Sequence, residues 1–311
     1  MKCCNCNAEI PTEAAFCPYC GAQQSAGCQK QSDISVFSLT PDGRLTIYYR
    51  GNVYSGDTMP VPAPYLPTFL KQNRALLSKA SDAKVVITYC AKEEYLEILR
   101  LIEDLPFEFA NCRILHEMQL VAFSFATTAD VVYGLEYEDK YCEADFGGGV
   151  VEILQSGFAN EKEAYTPGAV VKRLDQKDVF THLRHGATLQ LNILQNRVGQ
   201  DLVLLPALPF EIKGEIWING RYRDGFTLLA KHNSIPCKKS ETVTDGNCTI
   251  ILSLLGQRYL LDVYELFHHY TDNLRITVDV DHNSRIVFTL KDNKADTVEV
   301  KSLPLTKLQS M

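Results

Sequence analysis

Four cysteines near the start of the chain carry the sharpest chemical signal. Cys3-x-x-Cys6 is followed, after ten intervening residues, by Cys17-x-x-Cys20. Each CxxC turn offers two thiolates to one metal, and two such turns complete a tetrahedron. Pro18 and Gly21 shape the second turn. Cys3, Cys6, Cys17 and Cys20 are therefore the expected ligands of one structural Zn2+, with Cys4 able to stand in for Cys3. Four sulfur ligands leave no open coordination position, so catalysis at this metal is not expected. The competing reading is a redox-active or metal-free thiol cluster.

A second candidate is Asp145-Phe146-Gly147-Gly148-Gly149, which follows a predicted strand over 140–144. Glycines at a strand turn let backbone N–H groups approach a phosphate closely. A plain hairpin turn explains the same residues equally well. His182 and His185 sit three apart on a predicted helix with no evident third ligand, so they read as an ordinary exposed face. His268 and His269 are adjacent. In an extended segment they would point to opposite faces, and they read as surface or packing residues.

The whole chain bounds what these groups can serve. It has 311 residues, enough for two or three domains, and 46% hydrophobic residues, enough for packed cores. Its formal net charge is −7 and no long Lys/Arg run occurs, which argues against a nucleic-acid footprint. No signal-peptide pattern is present. The apolar runs near 202–212 and 248–267 are broken by prolines, Glu211, Arg258 and Asp262, so no membrane span is expected. A soluble, cytoplasmic protein is the expectation. There, eleven cysteines serve as thiols and metal ligands rather than disulfides.

Elements that would position these groups follow from pattern. Residues 23–32 are polar and small and read as a linker. Residues 34–39 and 44–49 flank Pro41-Asp42-Gly43, a hairpin signal. Four prolines over 58–67 exclude regular structure. A helix is predicted over 66–80 and a buried strand over 84–89. Over 92–104, Tyr95, Ile98, Leu99 and Ile102 fall on one helical face. A strand at 113–115 and a helical piece after Glu117 follow. From Gly225 to Leu290, apolar and β-branched runs alternate with turn signals at 234–236, 245–247, 271–273 and 281–284. That spacing predicts an antiparallel β-sandwich.

Residues 1–22 resemble the short bacterial zinc-ribbon family. The C-terminal stretch resembles the peptide-binding sandwich of the heat shock protein 70 family. The residues that carry this second likeness are Thr227–Lys231, Asn233–Pro236, Lys238, Ser240, Leu254–Gly256 and Ile276–Asp281. Asp201–Leu205 with Pro209 is similar to the family's apolar interdomain linker and first sandwich strand. The segments KVVITYCA and RILHE are similar to parts of its ATPase domain, and 145–149 to its second phosphate loop. Residues 170–198 look like that domain's last helix, with Gly186-Ala187 as its Gly-Ala pair. The resemblance implies a multidomain α+β chain: zinc ribbon 1–22, linker 23–32, a reduced actin-like α/β lobe 33–198, an interdomain linker 199–206, and a β-sandwich 207–311.

The resemblance also implies a site. An extended peptide would lie with Ile212, Gly214, Ile216 and Trp217 on one wall and Val243, Thr249 and Ile251 on the other. Departures from the family limit the rest. Val150 replaces the threonine after the glycines, and Glu152 an aspartate. The first phosphate loop and the adenosine motif have no counterpart. The lobe has less than half the length that the family's ATPase needs, and the residues after Leu290 are too few for a helical lid. ATP hydrolysis is not expected. Expected partners are apolar peptides or unfolded segments. The competing readings are a minimal ATP-dependent chaperone that uses Gly147–Gly149, and a zinc-ribbon interaction scaffold that docks a specific protein.

Overall fold

The computed structural model describes residues 34–56, 60–62, 66, 69, 83–103, 112–127, 129–196, 202–244, 248–269, 271, 273–294 and 297–311. The four predicted zinc ligands, the polar linker, most of the predicted helix over 66–80 and the turn at 245–247 lie outside them.

β1 (Ser35–Leu39) and β2 (Leu45–Tyr49) pair antiparallel across the predicted Pro41-Asp42-Gly43 turn, where Gly43 takes φ +90°. β3 (Asn52–Ser55) and β4 (Val61–Pro62) extend the sheet on one side, so the proline-rich stretch expected to lack regular structure supplies a two-residue edge strand, where proline is tolerated. On the other side, β1 meets β5 (Lys84–Tyr89). α1 (Lys92–Glu103) then crosses over to β6 (Cys112–His116), which runs parallel to β5. Parallel pairing requires such a crossover, because a tight turn reverses direction. Alternate residues divide between two cores. Val36, Tyr48 and Ile87 enter one; Phe37, Ile47 and Val86 enter the other. Burial on both faces explains why these strands are mostly apolar on both sides rather than strictly alternating. Tyr95, Ile98, Leu99 and Ile102 of α1 are all buried, as their spacing predicts.

α2 (Glu117–Phe123) starts directly after β6. A meander of β7 (Val131–Tyr137), β8 (Lys140–Gly147) and β9 (Val150–Phe158) follows. β10 (Val170–Arg173) joins this second sheet parallel to β7. The predicted helix over 170–198 is corrected here. β-branched Val170-Val171 favours a strand, and α3 (Gln176–Leu194) begins only after Asp175. The Asp175 carboxylate accepts from the backbone N–H groups of Lys177 and Asp178, both at 2.9 Å, and so caps the first turn. α3 crosses α2 at Gly186, where a Cβ would stand 2.0 Å from the Leu120 carbonyl oxygen. β11 (Val203–Leu205), inside the predicted interdomain linker, is the other edge of the second sheet, parallel to β9.

The rest of the chain forms two antiparallel sheets. β12 (Ile212–Ile218), β13 (Arg221–Leu229), β14 (Cys237–Val243), β15 (Cys248–Leu254) and β16 (Gln257–Asp262) precede the short α4 (Val263–Phe267). β17 (Leu274–Val280), β18 (Ile286–Lys294), β19 (Thr297–Pro304) and β20 (Gln309–Ser310) complete the fold. One sheet has the order β13-β12-β15-β16-β20 and the other β14-β17-β18-β19. Ile250 and Leu252 of the first and Val278 and Phe288 of the second share one core.

That core continues into α1 and the first sheet. Tyr95 packs edge-on against Phe210 with ring centroids 5.4 Å apart. The Tyr95 hydroxyl donates to the Ser284 carbonyl, and the Ser284 hydroxyl donates to the Ile114 carbonyl at 2.8 Å. Gln119 donates its amide to the Ala207 carbonyl at 2.7 Å. The described residues thus form a mixed α+β fold of four sheets and few helices. Among the described residues, no helix is long and apolar enough to cross a membrane.

Candidate functional site

Register decides what the predicted peptide-binding residues can do. β12 and β15 are hydrogen-bonded neighbours in one sheet, with Trp217 opposite Thr249 and Glu215 opposite Ile251. Residues directly opposite share a face. Trp217, Thr249 and Ile251 therefore lie together on the outer face of the five-stranded sheet. Ile212, Gly214, Ile216 and Val243 face the shared core instead. The Phe226 ring covers Gly214 so closely that an added Cβ would stand 2.1 Å from it. The two predicted walls are not separated by a gap between sheets. Three of the seven residues form an outward patch, and four are packing residues.

The outer patch extends beyond those three. Leu260 on β16 pairs with Ile251, and Tyr222 on β13 pairs with Trp217. The Trp217 and Tyr222 rings meet edge-on at 6.1 Å. Tyr222 is 59% exposed, whereas Ile251 at the centre is 5% exposed and belongs to neither shared core. Glu215 fixes the aromatic edge. Its carboxylate accepts from the Trp217 indole N–H and from the Arg258 guanidinium, each at 2.9 Å. The residues missed from sequence are thus Tyr222, Leu260, Glu215 and Arg258. The alternation along each strand hints at them, but the strand order that aligns them is long-range.

At one end of this sheet lies a cleft of about 580 Å3, lined by Phe210, Lys213, Lys231, Leu254 and Arg258. Its cations are already paired: Lys213 with Glu211 at 2.5 Å, Lys231 with Glu161 at 3.5 Å, and Arg258 with Glu215.

The glycine run sits elsewhere. Gly147 pairs with Val150, and Gly148 and Gly149 form the two-residue turn between β8 and β9 with φ +59° and +83°. Positive φ at both turn positions suits a tight hairpin and favours glycine. The Gly149 carbonyl accepts from Val203 N–H at 3.0 Å, so β11 occupies it. A Cβ on Gly147 would lie 2.9 Å from an Asp130 carboxylate oxygen, and Asp145 pairs opposite Glu152. Carboxylates beside the turn work against a phosphate unless a cation intervenes.

In an α/β sheet, ligands settle outside the carboxyl ends of parallel strands. At the ends of β5 and β6 stand Cys90 and Glu117, both buried, with Lys140 from β8 close to them. The Cys90 thiol donates to the Glu117 carboxylate. Burial, and after it the Glu117 charge, push the Cys90 thiol well above its ordinary value, so it remains a thiol and not a nucleophilic thiolate. Burial opposes the charge on Lys140, but the Glu117, Glu138 and Asp139 carboxylates favour it, and its value lies above the ordinary one.

The histidines act locally. His182 Nδ1 lies 2.8 Å from the Ser124 hydroxyl, and its ring stacks on Phe125 at 4.2 Å; His185 is exposed. His269 Nε2 lies 2.7 Å from the buried Asp292 carboxylate. Among the described residues no group of three His, Cys, Asp or Glu could hold a metal. No protein-family model matches the chain. No curated protein matches it significantly.

Proposed function

We propose that this chain is a heat-shock-70-like protein that binds extended apolar peptides or unfolded segments on its C-terminal β-sandwich, without ATP hydrolysis. One observation carries the reading. Trp217, Thr249 and Ile251, picked out by the family resemblance, lie side by side on an outer sheet face bordered by exposed Tyr222. β13 ends this sheet and offers main-chain groups to an extended segment, while the Trp217–Ile251–Leu260 patch receives an apolar side chain. The reduced actin-like lobe serves as a support. Buried Cys90, Glu117 and Lys140 fill the strand ends where a nucleotide would be sought, and the glycine turn is flanked by acids. The N-terminal ribbon adds one structural Zn2+. Cys3, Cys6, Cys17 and Cys20 are a complete tetrahedral donor set.

Trp217 is the sole tryptophan, so its emission reports directly on this face. Titration with an extended apolar peptide should shift it saturably, and Mg·ATP should neither shift it nor change the peptide affinity. Absence of any response across a set of apolar peptides would favour the scaffold reading. An affinity that changes with Mg·ATP would favour the minimal chaperone.

A further inference from the structure

We infer that the junction of α3, the β11 segment and the connection between β13 and β14 is a binding site for a short aliphatic monocarboxylate. A cavity of about 210 Å3 opens there. At ~30 Å3 per water it has room for roughly seven heavy atoms. Leu115, Ile193, Leu204 and Ile235 give it apolar walls, and Arg113 and Gln190 supply polar groups.

Two features of those polar groups point to a ligand. Gln190 is only 9% exposed, yet its side-chain oxygen has no hydrogen-bond partner among the described residues. A buried amide left this way costs free energy that a bound partner recovers. Oxygen and nitrogen of that amide exchange places by a flip, so Gln190 can also donate. Arg113 donates from Nη1 to the Cys112 carbonyl at 2.9 Å and to the Asn283 side chain. Its Nε and Nη2 donate to nothing, and it makes no ion pair, among the described residues. Burial pulls its guanidinium below the ordinary value, and Asp281 opposes this from beyond ion-pair distance.

A carboxylate satisfies these groups together. It presents two oxygens to the guanidinium fork and, with the Gln190 amide flipped so that its nitrogen takes the orphaned position, accepts from that amide. A tail of a few carbons then fills the Leu/Ile walls, which an inorganic anion would leave empty. The site shares no residue with the Trp217 face, so it stands independently of peptide binding.

The test uses the full chain with pentanoate, acetate and 1-pentanol as probes in calorimetry and thermal denaturation. Pentanoate should bind saturably in the millimolar range or better and raise Tm. Acetate should bind at least tenfold more weakly, and 1-pentanol should bind poorly for want of charge. Gln190→Leu should weaken pentanoate at least tenfold while leaving the free protein folded and no less stable. Ile193→Trp should fill the cavity and abolish binding; if it fails to fold, Gln190→Leu alone decides. Three results would each overturn the assignment: no saturable pentanoate binding, equal binding of 1-pentanol, or pentanoate binding unchanged in Gln190→Leu.

Discussion

The carboxyl ends of β5 and β6 and the outer face of the β13-β12-β15-β16-β20 sheet differ in where their functional groups point. At the first, the buried Cys90 thiol donates to the buried Glu117 carboxylate, and the buried Lys140 ammonium pairs with Glu138 and Asp139. At the second, Tyr222 and the half-buried Trp217 are directed outward around Ile251, and their one polar anchor, Glu215, is satisfied by Trp217 and Arg258. Groups buried inside the fold are out of a ligand's reach. Apolar groups that share an outer face gain by covering themselves. The difference is why the proposed activity is assigned to the sheet rather than to the strand ends.

Neighbouring isoleucines on β15 sharpen that contrast most. Ile250 is fully buried in the shared core, while Ile251 faces outward. Ile250→Asp should cost ~4–5 kcal/mol or prevent folding, as a buried unpaired charge does. Ile251→Asp should fold, with a lower Tm, and lose about 1.5–3 kcal/mol of peptide affinity, roughly ten- to a hundredfold. Urea denaturation and peptide calorimetry on both variants check this. Equal unfolding by the two would mean that Ile251 is a core residue, and the outward patch would lose its centre.

Acid should report on the closed region. Burial, and then Lys140, hold His116 down at about 3, far below its ordinary value. Between about 6.5 and 3 the unfolded chain binds a proton that the folded chain refuses, so stability falls as pH falls. Going from pH 7 to 5 should cost about 2 kcal/mol through this residue. His116→Asn keeps a capping side chain ahead of α2 and removes the titration. Urea melts at the two pH values should show a smaller loss for the variant. An equal loss would mean that water already reaches His116 in the folded state.

The smallest effect expected is on the rest of the chain when zinc is removed. Metal analysis should find one Zn2+ per chain. Chelation should then leave the unfolding free energy of the rest of the chain unchanged within about 0.5 kcal/mol, because all four proposed ligands precede residue 34. A cooperative loss of the whole fold on chelation would break the division drawn at the linker.

Much of the fold was legible because it is local. The turn at Pro41-Asp42-Gly43, the buried stripe of α1 and the β-rich runs after Gly225 all formed as their patterns predicted. Val170–Arg173 was misread because four residues give no helical period, and only the Asp175 cap marks where α3 begins. Of the proposed patch, sequence names Trp217, Thr249 and Ile251, but their separation from Ile212, Gly214, Ile216 and Val243 depends on which strands adjoin β12. Pairing between β12 and β15 joins residues 30 to 40 positions apart, and no local signal encodes it. Tyr222 and Leu260 were missed for the same reason.

Photo-crosslinking tests the central claim most directly. An extended apolar peptide with a photoreactive group at its central side chain is irradiated with the full chain, and the adducts are mapped by mass spectrometry. Adducts should concentrate on Trp217, Tyr222, Thr249, Ile251 and Leu260, and free peptide without the photoreactive group should compete them away. Competed adducts confined to other surfaces, or none at saturating peptide, would contradict the assignment of peptide binding to this face.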